Sequence, residues 1–235
     1  VQAMRILEQA MTLAWGAPHT TAGLLGHVAL HHALRHEDPP AQACAQEALR
    51  LIGNDELPEV RGWSEVVLGW VEARAGAAPR GLERIATGMA LQPSDGTITF
   101  RYLQTALQVE ALLAAARPRE ALDAAEKALA HLARTASGFI EADLWRLRAE
   151  SLLQDGSAEA SMAEEHLLRG IEIARRQGAL FWELRATSTL AQLWASQGRS
   201  EQARAALAAV YGAFREGFET VDLAEARERL LRLGV

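Results

Sequence analysis

Apolar residues along the chain recur at three- and four-residue intervals, and no β-branched run alternates with polar residues. That is the pattern of amphipathic helices rather than of strands. It predicts helices over residues 1 to 15, 20 to 36, 40 to 53, 57 to 75, 79 to 91 and 98 to 116, then 118 to 135, 138 to 154, 161 to 177, 179 to 197, 200 to 216 and 222 to 233. The seven prolines fall between these stretches or in a first turn, where the missing N–H costs nothing. Ser161 with Glu164, and Asp222 with Glu225, have the spacing of helix-capping boxes. Gly178, Gly198 and Gly217 follow apolar stretches, where a helix ends in a left-handed residue.

The stripes repeat. Ala41, Gly81, Ala121, Ala163 and Ala203, each near the start of every second helix, are 40, 40, 42 and 40 residues apart. Four residues on stand Ala45, Ile85, Ala125, Leu167 and Leu207, and eight on stand Leu49, Met89, Leu129, Ile171 and Tyr211. One small-apolar-apolar seam is therefore expected on five successive helices. Leu68-Gly69, Val109 with Ala111, Ala149, and Leu190-Ala191 with Trp194 occupy matching places in the first helices. The alternative is an irregular bundle of Ala-rich helices. Short turns make neighbouring helices antiparallel, giving pairs over about 20–53, 57–91, 98–135, 138–177 and 179–216.

This pattern resembles tetratricopeptide repeats, with a period longer than usual. The resemblance implies an all-α, right-handed superhelix of antiparallel pairs, an α-solenoid of about twelve helices, as one repeat domain over residues 1–235. Leu223, Ala226, Leu230 and Leu233 give the last helix, 222–233, an apolar face, with Glu225, Glu228, Arg229 and Arg232 spaced for ion pairs on the other. It reads as a capping helix. At the other end Ala3, Leu7, Ala10 and Met11, with Ile6 and Leu13 beside them, form a partial repeat over 1–15 without its partner helix. The expectation is a piece of a longer protein.

The last third carries a narrower likeness. Glu172-Ile173-Ala174-Arg175-Arg176-Gln177-Gly178-Ala179, Trp182-Glu183-Leu184-Arg185-Ala186, Leu190-Ala191, Gln197-Gly198-Arg199 and Tyr211 through Thr220 with Asp222-Leu223 resemble the C-terminal region of bacterial STAND-type ATPase signalling proteins. In those proteins a class III nucleotide cyclase or winged-helix DNA-binding head precedes a P-loop ATPase and a tetratricopeptide-like array. Residues 165 to 230 carry the strong part of the resemblance, and Ala213 stands where the family usually has a bulky aromatic. Tyr211, Phe214 and Phe218 are expected to fill the gap beside the cap.

Composition narrows the function. Twenty-four basic against 30 acidic side chains give a net charge of −6, which argues against a phosphate-neutralising, nucleic-acid-binding surface. The one cysteine, Cys44, leaves no disulfide or cysteine-rich zinc site, fits a cytoplasmic location, and reads as a buried small hydrophobe. No stretch has the apolar length of a membrane span or the form of an export signal. No G-x-x-x-x-G-K-[ST], HExxH or nucleophile elbow occurs, so neither a cofactor nor catalysis is expected; cyclase or ATPase activity would belong to other segments.

Two polar clusters remain. His27, His31, His32 and His36 contain two i, i+4 pairs with chelating spacing, beside Glu37 and Asp38; a solvated or partly packed histidine face is the competing reading. Glu164-Glu165-His166 reads as an exposed segment with its first carboxylate used in the cap. If tetratricopeptide geometry holds, Trp63, Trp70, Asp143, Arg146, Glu150, Arg185, Ser188 and Gln192 line the concave groove and would bind a protein, peptide or small molecule. Trp63 and Trp70 as core, and Arg146–Glu150 as a plain i, i+4 pair, are the alternatives.

The function expected is therefore a non-catalytic binding module, the sensor or regulatory arm of a signalling ATPase, with the attached effector domain as its other partner. A free-standing adaptor that scaffolds proteins, and a metal-dependent helical enzyme built on the histidines, are the competing readings.

Overall fold

A computed structural model describes residues 6, 9–10, 17–54, 57–91, 98–133, 138–156 and 160–234. Among them are eleven helices and no strand: α1 (Pro18–Leu34), α2 (Asp38–Ile52), α3 (Pro58–Arg74), α4 (Ala78–Ala90), α5 (Ile98–Ala114), α6 (Pro118–Leu132), α7 (Glu141–Asp155), α8 (Ala160–Gln177), α9 (Leu180–Ser196), α10 (Ser200–Tyr211) and α11 (Val221–Arg232). Prolines open α1, α2, α3, α4 and α6 at the first or second position, where a fixed φ helps and no hydrogen bond is lost. The helix predicted over 1 to 15 lies outside the described residues apart from Ile6, Gln9 and Ala10.

The chain divides into two compact units, Val1–Ala116 and Arg117–Val235. The division falls inside the helix pair expected over 98–135. In the first unit α1 packs on α2 and α3 on α4, with α3 also against α1, α2 and α5. Its core holds Leu30, Ile52, Trp70, Ile85 and Leu107, each no more than 1% exposed. In the second unit α7 packs on α6, α8 and α9, and α9 in turn on α8, α10 and α11. Leu167, Leu184, Leu190 and Leu207 are buried there beneath the α11 residues Leu223, Ala226 and Leu230.

The repeat is visible in the backbone of each unit. The turn between first and second helix reaches a positive φ at His36, Gly76, Ala116, Gly156 and Gly198, positions separated by 40, 40, 40 and 42 residues. At Gly198 the turn closes with hydrogen bonds from its own N–H to Ala195 and from the Arg199 N–H to Trp194. That is the glycine-terminated helix end expected there. The seam residues are buried at both leading levels in all five second helices, from Ala41 and Ala45 to Ala203 and Leu207. Its third level falls seven residues on, at Ala48, Gly88, Ala128, Gly170 and Val210, all buried. Four of the five residues expected eight on, Leu49, Met89, Leu129 and Tyr211, are only part-buried. The reason is rotational: seven residues at 3.6 per turn return to within about 20° of the start, whereas eight overshoot by about 80°.

Where the seam carries glycine, helices touch backbone to backbone. A Cβ on Gly69 of α3 would lie 2.5 Å from the Gly81 carbonyl oxygen of α4, and one on Gly88 would lie 2.7 Å from that of Gly62.

Several local expectations change. Ser161 lies within α8, not at its cap, and the Glu164 carboxylate turns to a neighbouring helix instead of back to its own start. Thr220, not Asp222, stands at the cap of α11; its hydroxyl donates to the Gly217 carbonyl at 2.8 Å and makes no cap bond to the helix, while the Asp222 carboxylate is drawn to Arg185. The α10 helix ends at Tyr211 rather than 216, since Gly212 weakens the helix at that point. Tyr211 and Phe218 meet edge to face with centroids 5.8 Å apart, and Phe214 packs on the core, but Phe218 stays 48% exposed. Cys44 is part-buried, and burial pushes its thiol pKa up.

Candidate functional site

The α7 helix carries chemistry on opposite faces. Asp143, Arg146 and Glu150, spaced three and four apart, share one face, while Trp145 and Arg148 lie on the other. The first face turns inward. Arg146 Nε donates to Asp143 Oδ1 at 2.5 Å and its Nη1 to Glu150 Oε2 at 2.8 Å, and the Thr189 hydroxyl donates to Glu150 Oε1 at 2.7 Å. Arg185 of α9 stands between two carboxylates, with Asp143 Oδ2 at 3.8 Å and Asp222 Oδ1 of α11 at 3.1 Å. Arg229 of α11 donates to the Ser188 carbonyl at 3.2 Å and to Gln192 Oε1 at 2.6 Å. Burial pulls its pKa down.

The six second-unit residues expected to line a groove are thus brought together along α7 and α9. Asp143, Arg146 and Arg185 are 1%, 5% and 5% exposed, so this string of charges holds α7, α9 and α11 in register rather than facing open solvent. The residue spacing is that of the i, i+4 pair for Arg146 and Glu150. The expected pairs of Glu225 with Arg229 and Glu228 with Arg232 give way, for Arg229, to contacts on α9.

Trp63 and Trp70 belong to the first unit and are 7% and 0% exposed. Trp70 donates through Nε1 to Glu110 Oε2 at 2.9 Å, and His36 Nε2 reaches both oxygens of the same carboxylate at 3.2 Å. Trp63 sits in an aromatic cluster with His27 and Phe100, at centroid distances of 4.6 and 5.1 Å. The histidines are engaged one by one. His27 and His31 donate through Nδ1 to the carbonyls of Gly23 and His27, and His32 meets Glu37 at 2.6 Å. Among the described residues no group of three or more His, Cys, Asp or Glu side chains is placed to hold a metal ion.

The outer face of α7 presents an opening that the sequence pattern did not single out. Trp145 separates two clefts, one of about 450 Å³ toward α8, lined by Glu165, His166, Leu168, Arg169 and Glu172, and one of about 300 Å³ toward α6. Both volumes fall in the range of small-ligand or side-chain sites. The Trp145 and His166 rings lie 5.2 Å apart, and the Arg148 guanidinium, paired with Glu126 at 2.9 Å, covers the indole at 5.3 Å. The Trp145 Nε1 and His166 Nε2 atoms are buried and have no hydrogen-bond partner. Burial first, and then the Arg148 charge, push the His166 pKa below the usual imidazole range, so the ring is neutral at neutral pH.

Glu164, the residue before the cleft-lining Glu165, is engaged elsewhere. It accepts two hydrogen bonds from Arg199, at 2.7 and 2.9 Å, and one from Trp194 Nε1 at 2.8 Å. Arg199's hydrogen bonds hold its carboxyl below the usual range. A signal for the cleft did exist in the sequence: the residues in register with Trp145 and His166 two repeats earlier are Glu65 and Arg84. Those two close the same place with an ion pair at 2.5 Å.

Among the described residues no helix is long and apolar enough to cross a membrane. No known protein-family model matches the chain, and no curated protein matches it.

Proposed function

We propose that the chain is a non-catalytic binding module of tetratricopeptide-like helix pairs, stacked as a right-handed superhelix, that serves as the sensor or regulatory arm of a multidomain bacterial signalling ATPase. The observation that carries this reading is the recurring unit: a left-handed turn residue every 40 to 42 positions and the same buried small-apolar seam on five second helices. Repeats of this kind are scaffolds for recognition, because each pair exposes one set of side chains while its neighbours hold it rigid. The resemblance over residues 165 to 230 supplies the attachment to an ATPase and the cytoplasmic setting. The module then works by differential binding: a ligand or partner that favours one state of the attached ATPase shifts its equilibrium.

Reading the coding sequence upstream of Val1 is the first test, and a P-loop in frame is the expected result. ATP hydrolysis by the full-length protein should then change about fivefold or more when residues 1–235 are deleted. A gene product without a P-loop, or one whose hydrolysis ignores the deletion, overturns the reading.

A further inference from the structure

We infer that the cleft between α7 and α8 receives an arginine side chain of a partner protein, its guanidinium against the Trp145 ring and its charge met by the Glu165 carboxylate. The inference rests on the binding-module reading, though not on the attached ATPase.

The occupant follows from what the chain does with its own tryptophans. Three times an arginine lies over an indole on a first helix and pairs with a carboxylate of the second helix before it. Arg74 is 4.8 Å from the Trp70 ring and 3.2 Å from Asp38 of α2. Arg148 is 5.3 Å from the Trp145 ring and 2.9 Å from Glu126 of α6. Arg199 is 4.8 Å from the Trp194 ring and 2.7 Å from Glu164 of α8. The negative face of an indole attracts a guanidinium, whose planar fork of N–H donors is left to grip the carboxylate, so the three groups support one another.

Toward α8, Trp145 has two of these parts and lacks the third. The ring lines the cleft of about 450 Å³ together with Glu165. Glu165 is exposed and has no ion-pair partner among the described residues: Arg169, one turn on, is given to Glu172 at 3.0 Å, and Arg148 to Glu126. His166 brings no positive charge, its ring being neutral at neutral pH. In the first unit the same place is filled from within, where Arg84, in register with His166, pairs with Glu65 and Glu72. One repeat thus closes this place with its own arginine, while the other leaves it open with an indole and a carboxylate on its wall. Leu168, 46% exposed at the rim, offers an apolar surface to the methylene stem of an incoming arginine. An acidic side chain would meet Glu165 and Glu172, and an apolar one would gain nothing from either.

The experiment follows the six tryptophan indole signals of the whole ¹⁵N-labelled chain, that of Trp145 being assigned by its loss in Trp145→Phe. The probe is N-acetyl-arginine methylamide; the citrulline analogue keeps its shape without the charge, and the lysine analogue keeps the charge without the plane. Ionic strength is held constant, because an exposed pair is screened by salt. The Trp145 signal should shift saturably with the blocked arginine, with a Kd on the order of 10 mM for a single side chain. The citrulline analogue should bind about fivefold more weakly or worse, and Glu165→Gln should weaken the arginine about threefold or more. Circular dichroism establishes that the variant folds.

Equal binding of the citrulline analogue, or unchanged affinity in Glu165→Gln, overturns the charge pairing. A lysine analogue that binds as tightly overturns arginine as the occupant. Shifts at Trp182 or Trp194 as large as that at Trp145, or no shift at all, overturn the cleft, and the deletion experiment on hydrolysis then judges the module separately.

Discussion

His166 lies three residues past the seam alanine of α8, which turns its ring from the core toward the α7 side of the cleft. Its neutrality has a consequence for stability. Burial and Arg148 favour the uncharged ring in the folded chain, so its folded pKa lies below the unfolded value of about 6.5. Such a group contributes stability that is whole above the unfolded value and is lost as pH falls through the folded one. The urea midpoint of the wild type should therefore drop more between about pH 7 and about pH 5 than that of His166→Phe. Parallel pH profiles would show that the ring titrates alike in both states. At this scale the sequence was only partly legible. Glu164 has the spacing of a cap partner, but Arg199 and Trp194 offer it three hydrogen bonds, more than the single N–H of its own helix start could.

Between helices, the distance of approach is set by the smallest residues on the seam. Gly69→Ala or Gly81→Ala would press a methyl group into the facing backbone of α3 and α4, where no flexible side chain can yield. The helix-propensity gain of about 1 kcal/mol is outweighed, and a net loss of about 1–3 kcal/mol is expected in chemical denaturation. Gly23→Ala in α1 meets nothing within 4 Å and should instead stabilise by about 0.5–1 kcal/mol. If both substitutions changed stability with the same sign, the close approach would not be what separates them. The α7–α9–α11 charge string is governed by burial. Asp222→Ala leaves Arg185, whose side chain is 4% exposed, with the 3.8 Å Asp143 contact and without the 3.1 Å one. Breaking one arm of a buried pair should cost about 3 kcal/mol, read from the urea midpoint. A loss below about 0.5 kcal/mol would mean that solvent reaches the guanidinium.

Across the molecule, each unit carries its own buried cluster, and the second is closed at its end by α11. Deleting residues 217–235 uncovers the apolar surface beneath Leu223, Ala226 and Leu230 and removes both Asp222 and Arg229. The loss is about 5 kcal/mol for the apolar residues alone, enough to bring a thermal transition, followed by circular dichroism, down by about 10 °C or more. An unchanged transition would show that α11 does not act as a cap.

The all-helical class, the positions of most of the described helices to within a few residues and the first two levels of the buried seam could be read before folding. Helical periodicity, proline at first turns and glycine at ends are local properties, each imposed by the geometry of one helix on its own residues. The repeat spacing was equally legible, because the same local geometry recurs at a fixed interval. Which polar residues meet was not. Arg185 finds Asp143 and Asp222 on two other helices, Glu164 turns to a residue 35 positions away, and Trp145 and His166 are left with unmatched polar atoms by what the helices across from them present. Those outcomes depend on distances between helices, which close packing sets and no single helix encodes.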